Sequence, residues 1–321
     1  MKAVILAGGL GTRLRPITYR TPKPLVPLVG KPLVMHIIDS LPPRVDTVVL
    51  AVSYMKDVLE EYFRVNDCGR KVILVNETSP LGTGGAIKNV ENYLDDTFIV
   101  INGDVLTSID FNSMVKYHRE KGGIGTISLW QVEDPSAFGV IGLNADNKIT
   151  AFQEKPPLAE AVSNMINAGV YVFEPDMLDN ISSGPVSIER EVFPMVLDQG
   201  LYGYHYRGYW VDCGTRESYL RAQKTLMDFG VTKNQPSSSS GRVDLIEPVH
   251  LTGTRLDSCT VGPYVFTETN VTIGAGATVS NSMLMHGATI SPGAVVRNSL
   301  IGPGFVVEKD TGAIDVILGH K

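Results

Sequence analysis

The stretch KAVILAGGLGTRLRP, residues 2–16, decides the fold of this chain. Its apolar run, residues 3–7, is typical of a buried strand, and a turn with three glycines and Arg13 follows directly. A glycine-rich turn lets backbone N–H groups approach a phosphate closely, and the planar guanidinium of Arg13 can bind phosphate oxygens. The stretch therefore predicts a phosphate-binding loop at the carboxyl end of the first strand.

Two common phosphate-binding motifs do not fit this loop. A dinucleotide fingerprint would need glycine in place of Leu14, and a P-loop would need a Gly-Lys-Ser/Thr ending. A plain strand-to-helix turn is the remaining alternative, and Arg13 argues against it. Farther along, Lys23 lies between two prolines, which restrict the backbone and hold its cation on a stiff loop. We therefore expect Lys23 to bind phosphate as well.

Apolar runs and amphipathic segments alternate up to about residue 230. This alternation predicts a Rossmann-like, doubly wound α/β fold, with a mostly parallel sheet and helices on both faces. Ligands of such folds bind beyond the carboxyl ends of the strands. The strand-like runs are TVVLAVS (47–53), KVILVNE (71–77), TFIVING (97–103) and GTISLWQV (125–132).

The pattern changes after a polar, Ser-rich stretch at residues 232–242. Beyond it, an apolar residue followed by Gly or Ser recurs at Val261, Ile273, Ile290 and Ile301, with spacings close to multiples of six. A hexapeptide rhythm predicts a parallel β-helix, here of about three coils, and a small β-domain with glycine-rich turns is the alternative. We expect a first domain over residues 1–230, a linker over 231–243 and a β-helix over 244–321.

The composition argues against several classes of protein and partner. The 321 residues carry 28 Lys and Arg against 34 Asp and Glu, a net charge of -6, without a block of like charge to bind nucleic acid. No apolar run is long enough for a membrane span or a signal peptide. Three widely separated cysteines favour the cytoplasm over a disulfide-forming compartment. Six scattered histidines lack metal-ligand spacing, so oxygen atoms should hold any metal ion.

LAGGLGTRLRP (6–16) and PKP (22–24) resemble motifs of the sugar nucleotidyltransferase family, and within it the mannose-1-phosphate guanylyltransferases most. Later motifs occur in the family's order, so the resemblance covers essentially the whole chain. It implies transfer of a nucleotidyl group from an NTP to a sugar 1-phosphate, with release of pyrophosphate. It also implies a left-handed β-helix, whose flat faces would support a homo-oligomer. The alternatives are a regulatory paralogue that senses NDP-sugars and a β-helix acyltransferase using His286.

The resemblance assigns Mg²⁺ to Asp104, in the string NGD, and to Asp212, in YWVDCGT. Mg²⁺ needs only one or two carboxylates when substrate phosphates supply further oxygens, although either aspartate alone could be a turn or cap residue. These two aspartates, Arg13 and Lys23 form the expected catalytic set. In this scheme Arg13 holds the leaving pyrophosphate and Lys23 the α-phosphate. We assign the nucleotide to Leu6, Gly8, Gly9, Gly11, Thr12, Arg13, Glu77, Pro80 and Gly82.

The second substrate has its own expected residues. By the same resemblance, Glu154 and Asn167 bind sugar hydroxyls, Lys155 contacts the sugar phosphate, and Gly139 gives backbone access to the sugar. Glu189 joins this set, although the helix dipole alone favours an acidic residue in a first helical turn.

Glu77 is the residue expected to select the base. Family members that use thymidine or uridine nucleotides commonly carry an amide at the matching position. An ionised carboxylate can instead accept the two adjacent donors of guanine, which favours GTP. Mannose 1-phosphate is the favoured sugar, but GTGGAI at residues 82–87 is also similar to heptose-1-phosphate guanylyltransferases. Thymidylyl or uridylyl transfer to glucose 1-phosphate is a further alternative.

Overall fold

The computed structural model describes residues 1–236 and 238–321, which form two compact units. The first unit comprises Met1–Gly9 and Met35–Trp210, and the second comprises Leu10–Val34 and Val211–Lys321. None of the helices in these described residues is both long and apolar enough to cross a membrane.

Helices and strands alternate through most of the first 230 residues. The helices are α1 (Leu33–Ser40), α2 (Lys56–Val65), α3 (Gly82–Asn89), α4 (Phe111–Lys121) and α5 (Arg216–Asp228). The strands are β1 (Lys2–Leu6), β2 (Pro27–Leu28), β3 (Lys31–Pro32), β4 (Thr47–Val52), β5 (Lys71–Asn76), β6 (Phe98–Asn102), β7 (Val105–Thr107), β8 (Gly125–Gln131), β9 (Gly139–Leu143), β10 (Ile149–Glu154), β11 (Met165–Phe173), β12 (Leu201–His205) and β13 (Trp210–Asp212).

The remaining strands are short and follow one another at regular intervals. They are β14 (Lys233–Gln235), β15 (Ser238–Ser240), β16 (Asp244–Leu245), β17 (Val249–Thr252), β18 (Arg255–Asp257), β19 (Thr260–Val261), β20 (Val265–Thr267), β21 (Thr272–Ile273), β22 (Thr278–Ser280), β23 (Ser282–Leu284), β24 (Thr289–Ile290), β25 (Val295–Arg297), β26 (Leu300–Ile301), β27 (Val306–Val307), β28 (Gly312–Ile314) and β29 (Ile317–Leu318).

Parallel strands form one half of the main sheet in the first unit. The sheet order is β10-β9-β11-β6-β1-β4-β5, and β8 pairs with β11 and β12. Strands β5, β4, β1 and β6 run parallel to one another. Ala3, Val4 and Ile5 of β1 are fully buried, as expected for a central strand covered on both faces. The predicted Rossmann-like α/β class is confirmed.

The other half of the sheet is largely antiparallel, which the sequence pattern does not indicate. Strand β11 runs antiparallel to β6, β8 and β9, and β10 runs antiparallel to β9. Burial on both faces produces a continuous apolar run whichever way a strand points. The apolar run of β8 therefore predicts a strand without giving its direction, and β9 and β10 are not among the predicted runs, because β10 is largely half-buried.

Three stacks of short parallel strands form the β-helix of the second unit. The stacks are β14-β17-β20-β23-β26-β29, β15-β18-β21-β24-β27 and β16-β19-β22-β25-β28. This stacking is consistent with the left-handed parallel β-helix expected from the sequence. The described residues contain five complete coils and the first strand of another, where the hexapeptide rhythm indicated about three.

The length of a coil explains the uneven spacing seen in the sequence. Thr272 lies opposite Thr289, and Thr289 lies opposite Val306, a repeat of 17 residues. This repeat is one residue short of three hexapeptides, so the rhythm slips at a corner. The Ser-rich stretch supplies β14 and β15, which pair with β17 and β18.

Three polar side chains stack along one corner of the β-helix. Asn281, Asn298 and Asp315 recur every 17 residues, with φ of 41°, 50° and 55°. Asn281 Nδ2 donates to Asn298 Oδ1 at 2.7 Å, and Asn298 Nδ2 donates to Asp315 Oδ1 at 3.1 Å. Asn and Asp adopt the left-handed conformation more readily than other residues with a Cβ atom. Backbone preference and a side-chain ladder therefore both specify this corner.

We expect Asn298→Ala to lower the free energy of unfolding by about 2 kcal/mol, because it removes two hydrogen bonds and the residue's tolerance of positive φ. Asn298→Gly loses the same bonds but suits the backbone, so it should cost about 1 kcal/mol less. Urea unfolding followed by circular dichroism measures both variants. Equal losses would contradict the role assigned to the backbone conformation.

Candidate active site

Two parallel strands end side by side in the first unit and place Asp104. Leu6, the last residue of β1, pairs with Asn102, the last residue of β6. The N–H of Gly103 then donates to the carbonyl oxygen of Leu6 at 2.9 Å, and a Cβ on Gly103 would lie 2.7 Å from that oxygen. Only glycine allows this approach. The half-buried Asp104 therefore lies beside the start of the predicted phosphate-binding loop.

Glu77 lies against the same loop. It follows β5, donates its N–H to the carbonyl oxygen of Val52 at 2.7 Å, and is only 8% exposed. A Cβ on Gly8 would lie 3.0 Å from Glu77 Oε1, so a side chain there would crowd the carboxylate. Burial raises the pKa of this carboxyl above its usual value, partly offset by the Leu81 N–H, which donates to Oε2 at 3.4 Å. The Ser53 hydroxyl donates to the carbonyl oxygen of Gly8.

The segment after Glu77 packs too closely for side chains at its glycines. Gly82 has a φ of 70°, and a Cβ there would lie 2.6 Å from the carbonyl oxygen of Val186. A Cβ on Gly85 would lie 2.2 Å from the carbonyl oxygen of Gly184. Pro80, just before this segment, is exposed. Packing against the chain near residue 186 therefore requires these glycines, independently of any ligand.

Three of the predicted sugar-binding residues lie around the hydroxyl of Tyr171. Strand β11 is irregular between Asn167 and Tyr171, where Gly169 has a φ of 74°. Asn167 Nδ2 donates to the Tyr171 hydroxyl at 2.9 Å, and Asn167 Oδ1 accepts from the N–H of Gly169 at 2.9 Å. Burial raises the pKa of Tyr171 well above its usual value, and the nearby carboxylates of Glu189 and Glu154 raise it further. Asn167 is thus bonded to the tyrosine hydroxyl whose pKa the two carboxylates affect.

Glu189 connects this group to α3. It lies on a short π-helical turn, Ile188–Val192. The Ser187 hydroxyl caps this turn by accepting a hydrogen bond from the N–H of Arg190 at 3.3 Å. Glu189 Oε2 accepts hydrogen bonds from Thr83 Oγ1 at 2.6 Å and from Ser187 Oγ at 2.8 Å. The acidic residue is therefore held by two hydroxyls as well as favoured by the helical turn.

Gly139 and Glu154 pair across β9 and β10. A Cβ on Gly139 would lie 2.8 Å from the Phe152 ring and 3.1 Å from Glu154 Oε2, so glycine leaves the carboxylate its space. Lys155 follows with a φ of 52°, and its N–H donates to the carbonyl oxygen of Phe138 at 2.9 Å. Its ammonium lies 3.6 Å from Glu154 and the side chain is 57% exposed. Backbone strain of this kind is often found at functional sites.

The rest of the phosphate-binding loop belongs to the second unit. Gly11 has a φ of 61° and precedes a 3-10 turn, Thr12–Leu14. Its carbonyl oxygen accepts from Thr18 Oγ1 at 2.8 Å. A Cβ on Gly11 would lie 2.9 Å from Thr18 and 3.2 Å from Lys23 Cβ. The structure therefore brings together Gly11 and Lys23, two residues from separate sequence motifs.

Arg13 and Asp212 meet over a glycine. A Cβ on Gly214 would lie 2.5 Å from Arg13 Nη2 and 2.8 Å from Asp212 Oδ1. The exposed guanidinium of Arg13 and the half-buried carboxylate of Asp212 are therefore neighbours in the second unit. Cys213, between Asp212 and Gly214 in the sequence, is fully buried, as a core residue would be.

The predicted residues divide between the two units. The first unit contains Leu6, Gly8, Gly9, Glu77, Pro80, Gly82, Asp104, Gly139, Glu154, Lys155, Asn167 and Glu189, and the second contains Gly11, Thr12, Arg13, Lys23 and Asp212. Over residues 1–236 and 238–321, no three His, Cys, Asp or Glu side chains are grouped as a metal site. The carboxylates of Asp104 and Asp212 are each of the ligand type that Mg²⁺ prefers, and substrate phosphates commonly complete its oxygen ligands.

Sequence reasoning missed several residues of this arrangement. Tyr171 lies in the apolar run GVYVF, where a tyrosine is indistinguishable from a core residue. Ser53 and Thr83 are single hydroxyls without a motif. Gly103 directly precedes Asp104 in NGD, and Gly214 follows Asp212 by two residues in DCGT. A glycine this close to an expected ligand residue is the signal that could have identified both.

Two models of known families match different parts of the chain. Residues 2–228 match the nucleotidyl transferase family model, and residues 249–321 match the model of the GMPPB C-terminal domain. A crystal structure of HddC from Yersinia pseudotuberculosis complexed with GMP-PN is similar, with a TM-score of 0.59 and 29% identity. That similarity covers 70% of this chain and 99% of HddC.

Curated relatives are more similar in sequence. The mannose-1-phosphate guanylyltransferase catalytic subunit beta of Danio rerio is 43% identical over 228 residues, which are 68% of this chain and 63% of the relative. The protein of the same name from Dictyostelium discoideum is 38% identical over 256 residues, 78% of this chain and 70% of the relative. The matched region thus spans less than two thirds of the Danio rerio protein. The nucleotidyl transferase family model matches well over half of the residues of this chain, so the chain belongs to that family.

Proposed function

We propose that this protein transfers a guanylyl group from GTP to mannose 1-phosphate, with Mg²⁺, to form GDP-mannose and pyrophosphate. The observation that carries the choice of base is the buried carboxylate of Glu77, held against Gly8 where the phosphate-binding loop begins. The names of the similar proteins from Danio rerio and Dictyostelium discoideum support both substrates.

The base would be selected by the geometry of Glu77. Guanine presents N1–H and an exocyclic amine side by side, and the two oxygens of one carboxylate can accept both. The desolvation that raises the pKa of Glu77 also strengthens hydrogen bonds to its ionised form, because little water competes. Adenine and the pyrimidines lack this pair of adjacent donors, so they would leave part of the buried carboxylate unsatisfied.

The sugar 1-phosphate would bind between Lys155 and the group around Tyr171. Glu154, Asn167 and Glu189 offer acceptors to the sugar hydroxyls, and Lys155 offers a cation to the phosphate. The left-handed backbone of Lys155 and its hydrogen bond to Phe138 hold the start of this side chain in place.

The reaction needs no general base, because the attacking phosphate oxygen is already an anion. Catalysis then requires that two mutually repelling anions are held in line and that charge is neutralised as it moves to pyrophosphate. Arg13 and Lys23 would contact the triphosphate and Lys155 the incoming phosphate. Asp104 and Asp212 would hold Mg²⁺, which supplies further positive charge to the phosphate oxygens when bound.

We also propose that the protein acts in the cytoplasm and self-associates through the faces of the β-helix. Val295, Val306 and Ile314 are each about 40% exposed on β25, β27 and β28, and covering them would remove apolar surface from water. Sedimentation velocity at several protein concentrations measures this self-association, and a monomer at all of them would contradict it.

The substrate assignment is tested by pyrophosphate release in a matrix of NTPs and sugar 1-phosphates. We expect the highest kcat/KM with GTP and mannose 1-phosphate, and loss of turnover when EDTA removes Mg²⁺. A higher value with heptose 1-phosphate, or with UTP or TTP and glucose 1-phosphate, would replace this assignment. Turnover with none of the pairs would favour a regulatory protein that binds NDP-sugars.

The aspartates are tested in the same assay. Asp104→Asn and Asp212→Asn should each lower kcat by about 100-fold or more, the scale of a lost electrostatic contact in a transition state. Asp110→Asn is the matched control, because Asn caps the start of α4 as well as Asp does. Full activity in either site variant would exclude that aspartate as an Mg²⁺ ligand.

Replacing Glu77 with glutamine tests the base. Glu77→Gln should lower kcat/KM for GTP by about 10-fold to 100-fold, because one charged acceptor becomes a donor, and it should not lower kcat/KM for UTP or TTP. The exposed Glu60→Gln on α2 is the control for a change of charge alone. An equal loss with every nucleotide would show that Glu77 supports the loop and does not read the base.

A further inference from the structure

The phosphate-binding loop packs on the last coils of the β-helix. Residues 10–34 belong to the same compact unit as residues 211–321. Gly302 and Gly319 are 17 residues apart in the sequence and lie one above the other at a corner of the β-helix. A Cβ on Gly319 would lie 3.3 Å from the Pro16 ring, and a Cβ on Gly302 would lie 3.5 Å from Ile17 Cγ1. Pro16 and Ile17 therefore rest on backbone that carries no side chains.

The hairpin after Lys23 has separate contacts in the same unit. The Tyr219 hydroxyl, on α5, donates to the carbonyl oxygens of Val26 and Pro27 at 2.8 Å and 3.0 Å. At the tip of the hairpin, a Cβ on Gly30 would lie 3.3 Å from the imidazole of His250.

Helix α5 is itself bound to the β-helix. Gln223 Nε2 donates to the carbonyl oxygens of Tyr264 and Ser282 at 2.8 Å and 3.2 Å. Tyr219 and Gln223 stand one turn apart on the same face of the helix, and both are fully buried. The helix therefore connects the hairpin to the coils.

The loop between these contacts has little regular structure of its own. Its internal backbone hydrogen bonds are those of single turns, such as Leu14 N–H to Gly11 at 2.9 Å and Tyr19 N–H to Pro16 at 3.0 Å. Single turns are weak in isolation, so packing must hold the loop in one conformation. Arg13 stands three residues before Pro16, and Lys23 stands three residues before Val26. Each phosphate-binding cation is therefore close in sequence to a contact with the β-helix or α5.

We propose that the β-helix sets the conformation of the phosphate-binding loop, with Gly302, Gly319 and Tyr219 as positioning residues for the nucleoside triphosphate. This inference rests on the proposed function in taking a triphosphate as the ligand of Arg13 and Lys23. A loop fixed before binding loses less conformational freedom when the triphosphate binds, so its affinity is higher. The β-helix would thereby contribute to binding of one substrate and leave the other unaffected.

Gly319→Val tests this positioning directly, because the new side chain would meet Pro16 first. The matched control is Gly312→Val on β28, where a Cβ would meet nothing closer than 3.8 Å. We expect Gly319→Val to raise KM for GTP by about 10-fold, equivalent to about 1.4 kcal/mol, and to leave KM for mannose 1-phosphate within about 2-fold. The thermal midpoint of unfolding of Gly319→Val should match that of Gly312→Val. Both KM values of Gly312→Val should equal those of the unmodified protein.

Tyr219→Phe is the second variant, for the case in which Gly319→Val does not fold. It keeps the volume of the ring and removes only the hydroxyl. It leaves the carbonyl oxygens of Val26 and Pro27 without their hydroxyl donor, and we expect the same selective rise in KM for GTP. An unchanged KM for GTP in the folded variants, or equal rises for both substrates, would overturn the inference.

Direct binding separates this inference from the proposed function. Calorimetric titration with GTP and Mg²⁺, without a sugar phosphate, measures affinity whether or not the protein turns over. Weaker GTP binding by Gly319→Val or Tyr219→Phe than by Gly312→Val would support the positioning role even if no sugar phosphate is a substrate. Equal binding by all three variants would overturn it even if turnover with mannose 1-phosphate is established.

Discussion

The close approach of Gly103 to the carbonyl oxygen of Leu6 is the contact on which the position of Asp104 in the first unit depends. It joins the ends of β1 and β6 at the point where both strands leave the sheet, and a single added carbon atom would prevent it. The aspartate that follows is thereby fixed beside the loop that begins at Ala7. Because β1 pairs in parallel with β4 and β6, and β4 pairs with β5, the carboxyl ends of these strands lie at the same edge of the sheet. Glu77, which follows β5, therefore lies close to the loop that follows β1.

Carboxylates, not cations, are the least exposed charged groups among the first unit's candidate site residues, since Glu77 is buried and Glu154 and Glu189 are half-buried. Glu77 rests against Gly8, and Glu154 and Glu189 lie near the Tyr171 hydroxyl. Burying an acidic group is costly unless donors satisfy it. Glu77 accepts from the N–H of Leu81, and Glu189 accepts from the hydroxyls of Thr83 and Ser187. Such an arrangement suits ligands rich in N–H and O–H donors, as guanine and a sugar are. The cations Arg13 and Lys155 are exposed, where phosphate can reach them.

Much of the fold follows from local sequence, and the exceptions have physical reasons. The run 3–7 and the glycines after it predict a central strand and its loop because burial and close approach act over a few residues. Strand direction in β9 to β11 depends on partners far along the chain. The number of coils was underestimated because the 17-residue repeat interrupts the six-residue rhythm. Within the candidate site, the charged residues lie in motifs that are visible in the sequence, whereas the contact of Tyr171 with Asn167 lies at an irregularity in β11 that the sequence does not reveal.

The 17-residue coil also constrains how this protein can change in evolution. Asn281, Asn298 and Asp315 each turn the same corner, and every coil buries its apolar side chains directly above those of the coil before. Insertion or deletion of a few residues within a strand would shift buried side chains to the outside for the remainder of that coil. Gain or loss of a whole repeat would preserve the stacking. The length of this domain should therefore vary among descendants in whole-coil steps, with smaller changes confined to the corners.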